Sequence, residues 1–247
     1  MTLTEFFKAH PKAALGFSGG VDSSYLLYVG VQAGADIRPY FIKTAFQPDF
    51  ELEDAKRLCA FVGAELHILE LDALANPDVV RNPSNRCYYC KTGLFGTLQK
   101  QALADGYTVL LDGTNASDDS ADRPGMKALQ ELQVLSPLRV CGLTKSMIRE
   151  LSREAGLFTW DKPAYACLAT RVPTGQTITR ELLSRVEGAE GALFALGFTD
   201  FRVRVFSDAA RVQLKPAQMT QALEQRETIL EKLRPYFEIV LLDLNGR

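Results

Sequence analysis

Three groups of residues in this chain have types and spacings that could do chemistry. The first is Ser18-Gly19-Gly20-Val21-Asp22-Ser23-Ser24, entered from the apolar run Ala-Ala-Leu-Gly-Phe17 and left by a helical pattern through Tyr25, Leu26 and Val29. Two adjacent glycines let a backbone approach an anion without Cβ interference. The free amides and positive dipole end of the following helix then face that anion. Ser18, Ser23 and Ser24 can add hydroxyl donors. Asp22 is the odd member, because a carboxylate repels a phosphate unless it helps to hold Mg²⁺ or a loop amide. The second group is Cys87-x-x-Cys90, with Cys167 in another irregular stretch. The third is Asp112-Gly113-Thr114-Asn115, at the end of an apolar run; its composition also suits a plain turn.

The glycine turn is not a Walker A loop, since no Gly-Lys-Ser/Thr follows, and it is not G-x-G-x-x-G. The cysteines leave three readings open. A redox pair would use the lowered thiol pKa of C-x-x-C, but a motif at a helix start just after a strand is not expected here. Structural zinc needs four ligands, and Cys59 and Cys141 read as buried hydrophobes, so a fourth is missing. An iron–sulfur cluster on Cys87, Cys90 and Cys167 would keep one iron open.

The elements that must position these groups alternate. Strands are expected over residues 13–17, 37–44, 65–71 and 107–111, and helices over 3–10, 23–34, 50–62, 92–105 and 144–155. Residues 76–91 read as an irregular loop, 117–125 as a polar loop with three aspartates, 126–134 as a short helix or turn, and 136–138 as extended. His67 reads as a strand-surface residue and His10 as solvated, so a histidine mechanism is not expected. This alternation predicts an α/β fold with a doubly wound parallel sheet, whose ligands bind at the C-terminal strand ends. After an irregular stretch, a helix capped by Thr179, strands at 201–206 and 210–214, a helix at 216–233 and a strand at 238–244 predict a smaller C-terminal α+β domain. The expected organisation is therefore a domain at 1–160, a connecting stretch at 161–176 and a small domain at 177–247.

The 247 residues carry a net charge of -2, against the basic excess of a dedicated nucleic-acid binder. Residues 1–12 hold no signal-peptide core, and no apolar run approaches membrane-spanning length, so a soluble cytoplasmic protein is expected. Five unevenly spaced cysteines do not make a secreted disulfide framework.

Ser18-Gly-Gly-Val-Asp22-Ser23 resembles the PP-loop of ATP pyrophosphatases, which cleave ATP between its α- and β-phosphates and activate a substrate by adenylation. With Asn82-Pro-x-x-Arg86-Cys-Tyr-x-Cys90-Lys91, Asp112-Gly-Thr-Asn-Ala-Ser-Asp118, Arg123-Pro-Gly, Ser136-Pro-Leu and Trp160-Asp-Lys-Pro-Ala-Tyr-Ala-Cys-Leu-Ala-Thr-Arg171, the whole chain resembles the ATP-dependent sulfur transferases called LarE. These supply sulfur for the nickel-pincer nucleotide cofactor of lactate racemase. The resemblance implies adenylation of pyridinium-3,5-biscarboxylic acid mononucleotide, release of pyrophosphate, and displacement of AMP by sulfur to leave a thiocarboxylate. One type of the family gives up its own sulfur at the position of Cys167; the other holds a [4Fe-4S] cluster on three cysteines, and Cys87, Cys90 and Cys167 place this chain with the second.

The same resemblance assigns ATP to Ser18, Gly19, Gly20, Asp22, Ser23 and Thr44, with Thr114, Asn115 and Asp118 bordering the pocket and Asp22 placing Mg²⁺. A nucleotide with two carboxylates wants fork-shaped donors, for which Arg171, Arg204 and Arg211 are the candidates, Arg171 foremost. Trp160 and Tyr165 could stack on the pyridinium ring or pack at the domain junction. The resemblance further implies a hexamer and a Gly-Ser-Met-Asn-like tail, which this sequence ends at Arg247 without; the sulfide donor is not named by the sequence, and charge and hydropathy lead to an expectation of no nucleic-acid or membrane partner. The alternatives are sulfur from Cys167 itself, a tRNA 2-thiouridine-type thiolase and an inactive nucleotide-binding module.

Overall fold

The computed structural model describes residues 1–118 and 124–247; Asp119, Asp122 and Arg123 lie outside the described residues. In chain order the elements are α1 (Leu3–Ala9), β1 (Lys12–Gly16), α2 (Val21–Gln32), β2 (Asp36–Lys43), α3 (Asp49–Val62) and β3 (His67–Glu70). Then come α4 (Pro77–Val80), α5 (Arg86–Ala104), β4 (Leu110–Leu111), α6 (Pro124–Glu131), α7 (Pro137–Val140) and α8 (Lys145–Glu154). The last are α9 (Arg180–Ala195), β5 (Arg202–Phe206), β6 (Ala209–Gln213), α10 (Met219–Glu224), α11 (Arg226–Leu233) and β7 (Val240–Leu242). They form two compact units, one of Met1–Ala73 and Asn85–Lys162, the other of Leu74–Ser84 and Pro163–Arg247.

The first unit is built on a parallel sheet of order β3-β2-β1-β4. Alternation along β1 explains its two covered faces. Leu15, with Phe41, packs among Leu26 and Leu27 of α2, Leu58 of α3 and Ile148 of α8. Ala14, between Ala13 and Leu15, packs on the other face with Tyr40, Leu110, and Leu98 and Ala102 of α5. A strand buried on both faces reads as a continuous apolar run, as Ala13–Phe17 does. The doubly wound α/β fold expected from the sequence is the fold observed.

Several local expectations are corrected. Residues 76–91 are not one loop: Asn76 caps α4 by accepting from the Asp78 amide at 2.9 Å, and α5 begins at Arg86. Both C-x-x-C thiols therefore stand in the first turns of a helix. Tyr88 anchors that end, donating to Glu131 of α6 at 2.8 Å with Lys127 over its ring. β4 spans only two residues, and Leu135 forms a parallel bridge to Leu111. Residues 137–140 turn as α7 instead of continuing extended, with Pro137 at a position where its missing N–H costs nothing.

In the second unit β5 and β6 are antiparallel and β7 joins β6 in parallel. The helix expected at 216–233 is broken at Gln225 into α10 and α11 after a short 3₁₀ turn. Thr179 caps α9, as its sequence predicts, by accepting from the Leu182 amide at 3.1 Å. Leu74–Ser84, read from sequence as part of the first domain, belongs to this unit. Ile178 donates to the Val80 carbonyl at 2.9 Å, and the Asn82 amide donates to the Pro173 carbonyl at 2.8 Å.

Candidate functional site

The C-terminal ends of β1, β2 and β4 open into a cavity of about 320 Å³ in the first unit. Its floor is the turn from β1 into α2. Gly19 has φ +68°, and a Cβ there would lie 3.1 Å from the Ala55 amide nitrogen and 3.2 Å from the Glu51 carbonyl. Position 19 is thus closed to other residues by conformation and by space. The loop braces itself: Ser18 N–H donates to Ser23 Oγ at 3.3 Å, and the Ser23 hydroxyl donates to the Gly20 carbonyl at 3.3 Å. Gly20 is the N-cap of α2 and supplies no side-chain cap, so the first-turn amides lack the side-chain acceptor that Thr144 gives α8 and Thr179 gives α9. Such an end attracts an anion.

Asp22 stands on that first turn. Its Oδ2 accepts from Lys145 Nζ at 2.6 Å, while Oδ1 is buried without a hydrogen-bond partner among the described residues. Burial raises the Asp22 carboxyl above its ordinary value; Lys145 opposes the rise and the nearby Asp118 charge adds to it. An orphaned carboxylate oxygen beside a second acid at an anion-binding turn is the donor set of a hard divalent cation. The residues therefore fit Mg²⁺.

The turn after β4 packs onto this floor. A Cβ on Gly113 would come within 3.1 Å of the Ser23 amide nitrogen. Asp112 is buried and spends its carboxylate locally, accepting from Ser136 Oγ at 2.7 Å, from Thr114 N–H at 3.2 Å and from the Thr114 hydroxyl. Thr114 and Asp118 line the cavity. Asn115 is not among the lining residues, and its Oδ1 accepts from Ser117 N–H at 2.8 Å. The Thr44 hydroxyl donates to Gln47 at 2.6 Å and accepts from Phe46 N–H, and the strand before it gives Tyr40, Phe41 and Ile42 to the cavity lining, with Gln47 beyond.

The remaining wall is α5. Lys91, Leu94, Phe95 and Leu98 line the cavity at i, i+3, i+4 and i+7, one face of a helix. Cys87 and Cys90 precede Lys91 and Leu94 by one turn, so the thiols extend the same stripe. Cys87 is exposed, with Arg86 Nη2 at 4.0 Å from its sulfur. Burial pushes the Cys59 thiol up to about 12 and also raises Cys141.

In the second unit Cys167 is the N-cap residue of the 3₁₀ turn Leu168–Arg171, and its carbonyl accepts from Thr170 N–H at 2.9 Å and Thr170 Oγ at 2.9 Å. Arg171, the foremost candidate for the substrate, already has partners within the fold. Its side chain is fully buried, with Nε 2.8 Å and Nη2 3.1 Å from the Glu190 carboxylate and Nη1 2.7 Å from the Ala166 carbonyl. Burial opposes its charge, but Glu190 outweighs burial and raises its pKa. Arg171 thus shapes the Cys167 turn. Glu190 also accepts from Val203 N–H at 2.9 Å and from the Tyr165 hydroxyl, which places Tyr165 in packing.

Arg204 and Arg211 face each other across β5 and β6. Arg204 donates to Gln213 at 2.6 Å and to the Thr170 carbonyl at 2.7 Å; Arg211 lies 3.6 Å from Asp243. Two cations directly opposite repel unless something anionic joins them. Arg202 adds a third; burial and Arg171 bring it down to about 10.

Sequence reasoning passed over Lys91, Lys145, Lys162 and Glu190. Lys145 had a signal: a cation in the first turn of a helix opposes the dipole and needs another reason to be there. Lys162 pairs with Asp54 at 2.6 Å and reaches the Gly19 carbonyl at 3.4 Å.

No family model matches the chain. It is 38% identical over 250 residues to an uncharacterised protein of Synechocystis sp., covering 99% of this chain and 92% of that one. It is 31% identical over 248 residues to the pyridinium-3,5-bisthiocarboxylic acid mononucleotide synthase of Lactiplantibacillus plantarum, covering 99% and 90%. A tRNA-specific 2-thiouridylase of Thermotoga maritima is 23% identical over 59% of this chain and 52% of its own length. With a parallel sheet ending in a Ser-Gly-Gly-x-Asp-Ser turn and this likeness to the synthase over nearly its whole length, the chain belongs to the pyridinium-3,5-bisthiocarboxylic acid mononucleotide synthase, or LarE, family.

Proposed function

We propose that the protein is an ATP-dependent sulfur transferase that converts the carboxylates of pyridinium-3,5-biscarboxylic acid mononucleotide into thiocarboxylates. The observation that carries this reading is the uncapped α2 terminus with the unpartnered Asp22 oxygen at the floor of the cavity. A carboxylate does not exchange oxygen for sulfur unaided. In the first step a substrate carboxylate oxygen bonds to the α-phosphorus of ATP and the α–β bridging P–O bond breaks. Pyrophosphate leaves against the α2 amides, with Asp22 holding the Mg²⁺ that offsets its charge. The apolar α5 wall and Ile42 take the adenine. In the second step sulfur bonds to the acyl carbon, the C–O bond to the phosphate breaks, and AMP leaves.

For the sulfur, we favour a [4Fe-4S] cluster on Cys87, Cys90 and Cys167. Cys87 and Cys90 fit as donors, since two unoxidised thiols one helical turn apart continue the cavity-lining face of α5. When bound, such a cluster supplies sulfide at an iron that lacks a protein ligand. A second reading has Cys167 give its own sulfur and become dehydroalanine. A tRNA substrate is disfavoured by the net charge of -2. No helix among the described residues is long and apolar enough to cross a membrane.

ATP–pyrophosphate exchange tests the reading. It should require the dicarboxylate, vanish in Asp22→Ala and survive in Cys167→Ala, which should still form the AMP ester but transfer no sulfur. Exchange that depends on RNA would refute the proposed substrate.

A further inference from the structure

Two lysines that reach the glycine turn are already neutralised: Lys145 by Asp22 at 2.6 Å and Lys162 by Asp54 at 2.6 Å. Lys91 lines the cavity and has no hydrogen-bond or ion-pair partner among the described residues. Its stem passes over Gly125 of α6, where a Cβ would lie 2.8 Å from Lys91 Cδ and 3.0 Å from Cε. Lys91 stands one turn before Phe95, whose ring lies 3.0 Å from where a Gly16 Cβ would be. It also follows Cys90 directly.

From this arrangement we infer that Lys91 pairs with the α-phosphate of ATP and keeps that contact on the adenylate until AMP leaves. The inference rests on the ATP-dependent reading above. The α2 amides and the cation at Asp22 serve the pyrophosphate end, and their work ends when pyrophosphate departs. Sulfur attack then breaks the acyl C–O bond and both electrons go to the phosphate oxygen of AMP. A cation already placed at that oxygen, with no ion-pair partner among the described residues, stabilises the developing charge. An ammonium is suited to the task because it meets phosphate as a point charge from a flexible stem.

The test is calorimetric titration of the full chain with adenosine, AMP and ATP, the last with MgCl₂, in wild type, Lys91→Gln and Lys91→Arg. Losing one charge-assisted hydrogen bond should weaken both AMP and ATP roughly ten- to hundredfold. Adenosine should bind unchanged, and Lys91→Arg should recover most of the loss. Unchanged AMP affinity in Lys91→Gln would overturn the assignment. So would an equal fall for adenosine, which marks a collapsed wall, or a wild type that binds ATP but not AMP. A wild type that binds neither nucleotide would overturn the ATP reading itself.

Discussion

At the residue scale, two charged side chains carry opposite lessons. Arg171 is fully buried and spends its fork on Glu190 and on the carbonyl of Ala166, next to Cys167. Removing one partner of a buried pair leaves the other charge uncompensated, at a cost of about 3–5 kcal/mol. Arg171→Ala should therefore lower the urea midpoint sharply, and Arg171→Lys should recover little, since an ammonium cannot span both carboxylate oxygens. A midpoint within error of wild type would return Arg171 to the role of substrate ligand. Asp22 is the reverse case, a group the fold tolerates for what it binds. Because burial raises its pKa, the folded chain holds that proton more tightly than the unfolded chain does. Its contribution to stability is present at low pH and is lost as pH rises from the ordinary 3.8 through the raised value. Asp22→Asn should flatten the stability–pH curve over that range while abolishing Mg²⁺-dependent ATP binding. In wild type, Mg²⁺ affinity should fall on acidification sooner than an ordinary carboxylate would give.

At the element scale, the strand–turn–helix around Ser18 depends on two glycines that are not interchangeable with alanine. At position 19 the backbone is left-handed and the Cβ meets the α3 backbone; at position 113 the Cβ meets the Ser23 amide that an anion would approach. Gly19→Ala should cost about 1–3 kcal/mol of stability and most of the ATP affinity. Gly113→Ala should spare the fold and weaken ATP, and the contrast is measured by pairing urea melts with titrations. These positions also show what was legible in the sequence. The turn, its glycines and the two-faced apolar strand before it were legible, because local chemistry alone demands them. The start of α5 was not. Arg86-Cys-Tyr-Tyr-Cys-Lys91 has no strong helical preference, and its first turn is held from α6 through Tyr88, a contact distant in sequence. Thr44 and Asn115 were assigned by resemblance, and what the sequence did not show is that each also hydrogen-bonds within a local turn, to residues three and two positions away. Lys91 was quoted within a motif but given no role, since only the fold reveals that it lines the cavity.

At the scale of the whole molecule, the three cysteines belong to two units. Cys87 and Cys90 stand in the first and Cys167 in the second, and the chain passes between the units at Ala73, Ser84 and Lys162. One polypeptide thus carries thiols on both, and its chemistry turns on whether they act as one ligand set. Iron, acid-labile sulfide and intact mass, measured on protein purified without oxygen and again after turnover, decide this. If the three act together, wild type should hold near-stoichiometric iron and sulfide, each of Cys87→Ala, Cys90→Ala and Cys167→Ala should lose most of it, and turnover should leave the mass unchanged. If Cys167 acts alone, wild type should hold no iron. Turnover should then remove one sulfur and two hydrogens, about 34 Da, the change from cysteine to dehydroalanine, and Cys87→Ala should still turn over once. That second outcome would leave the pair on α5 without a metal role, and the exposure of Cys87 beside Arg86 would then become the property to explain.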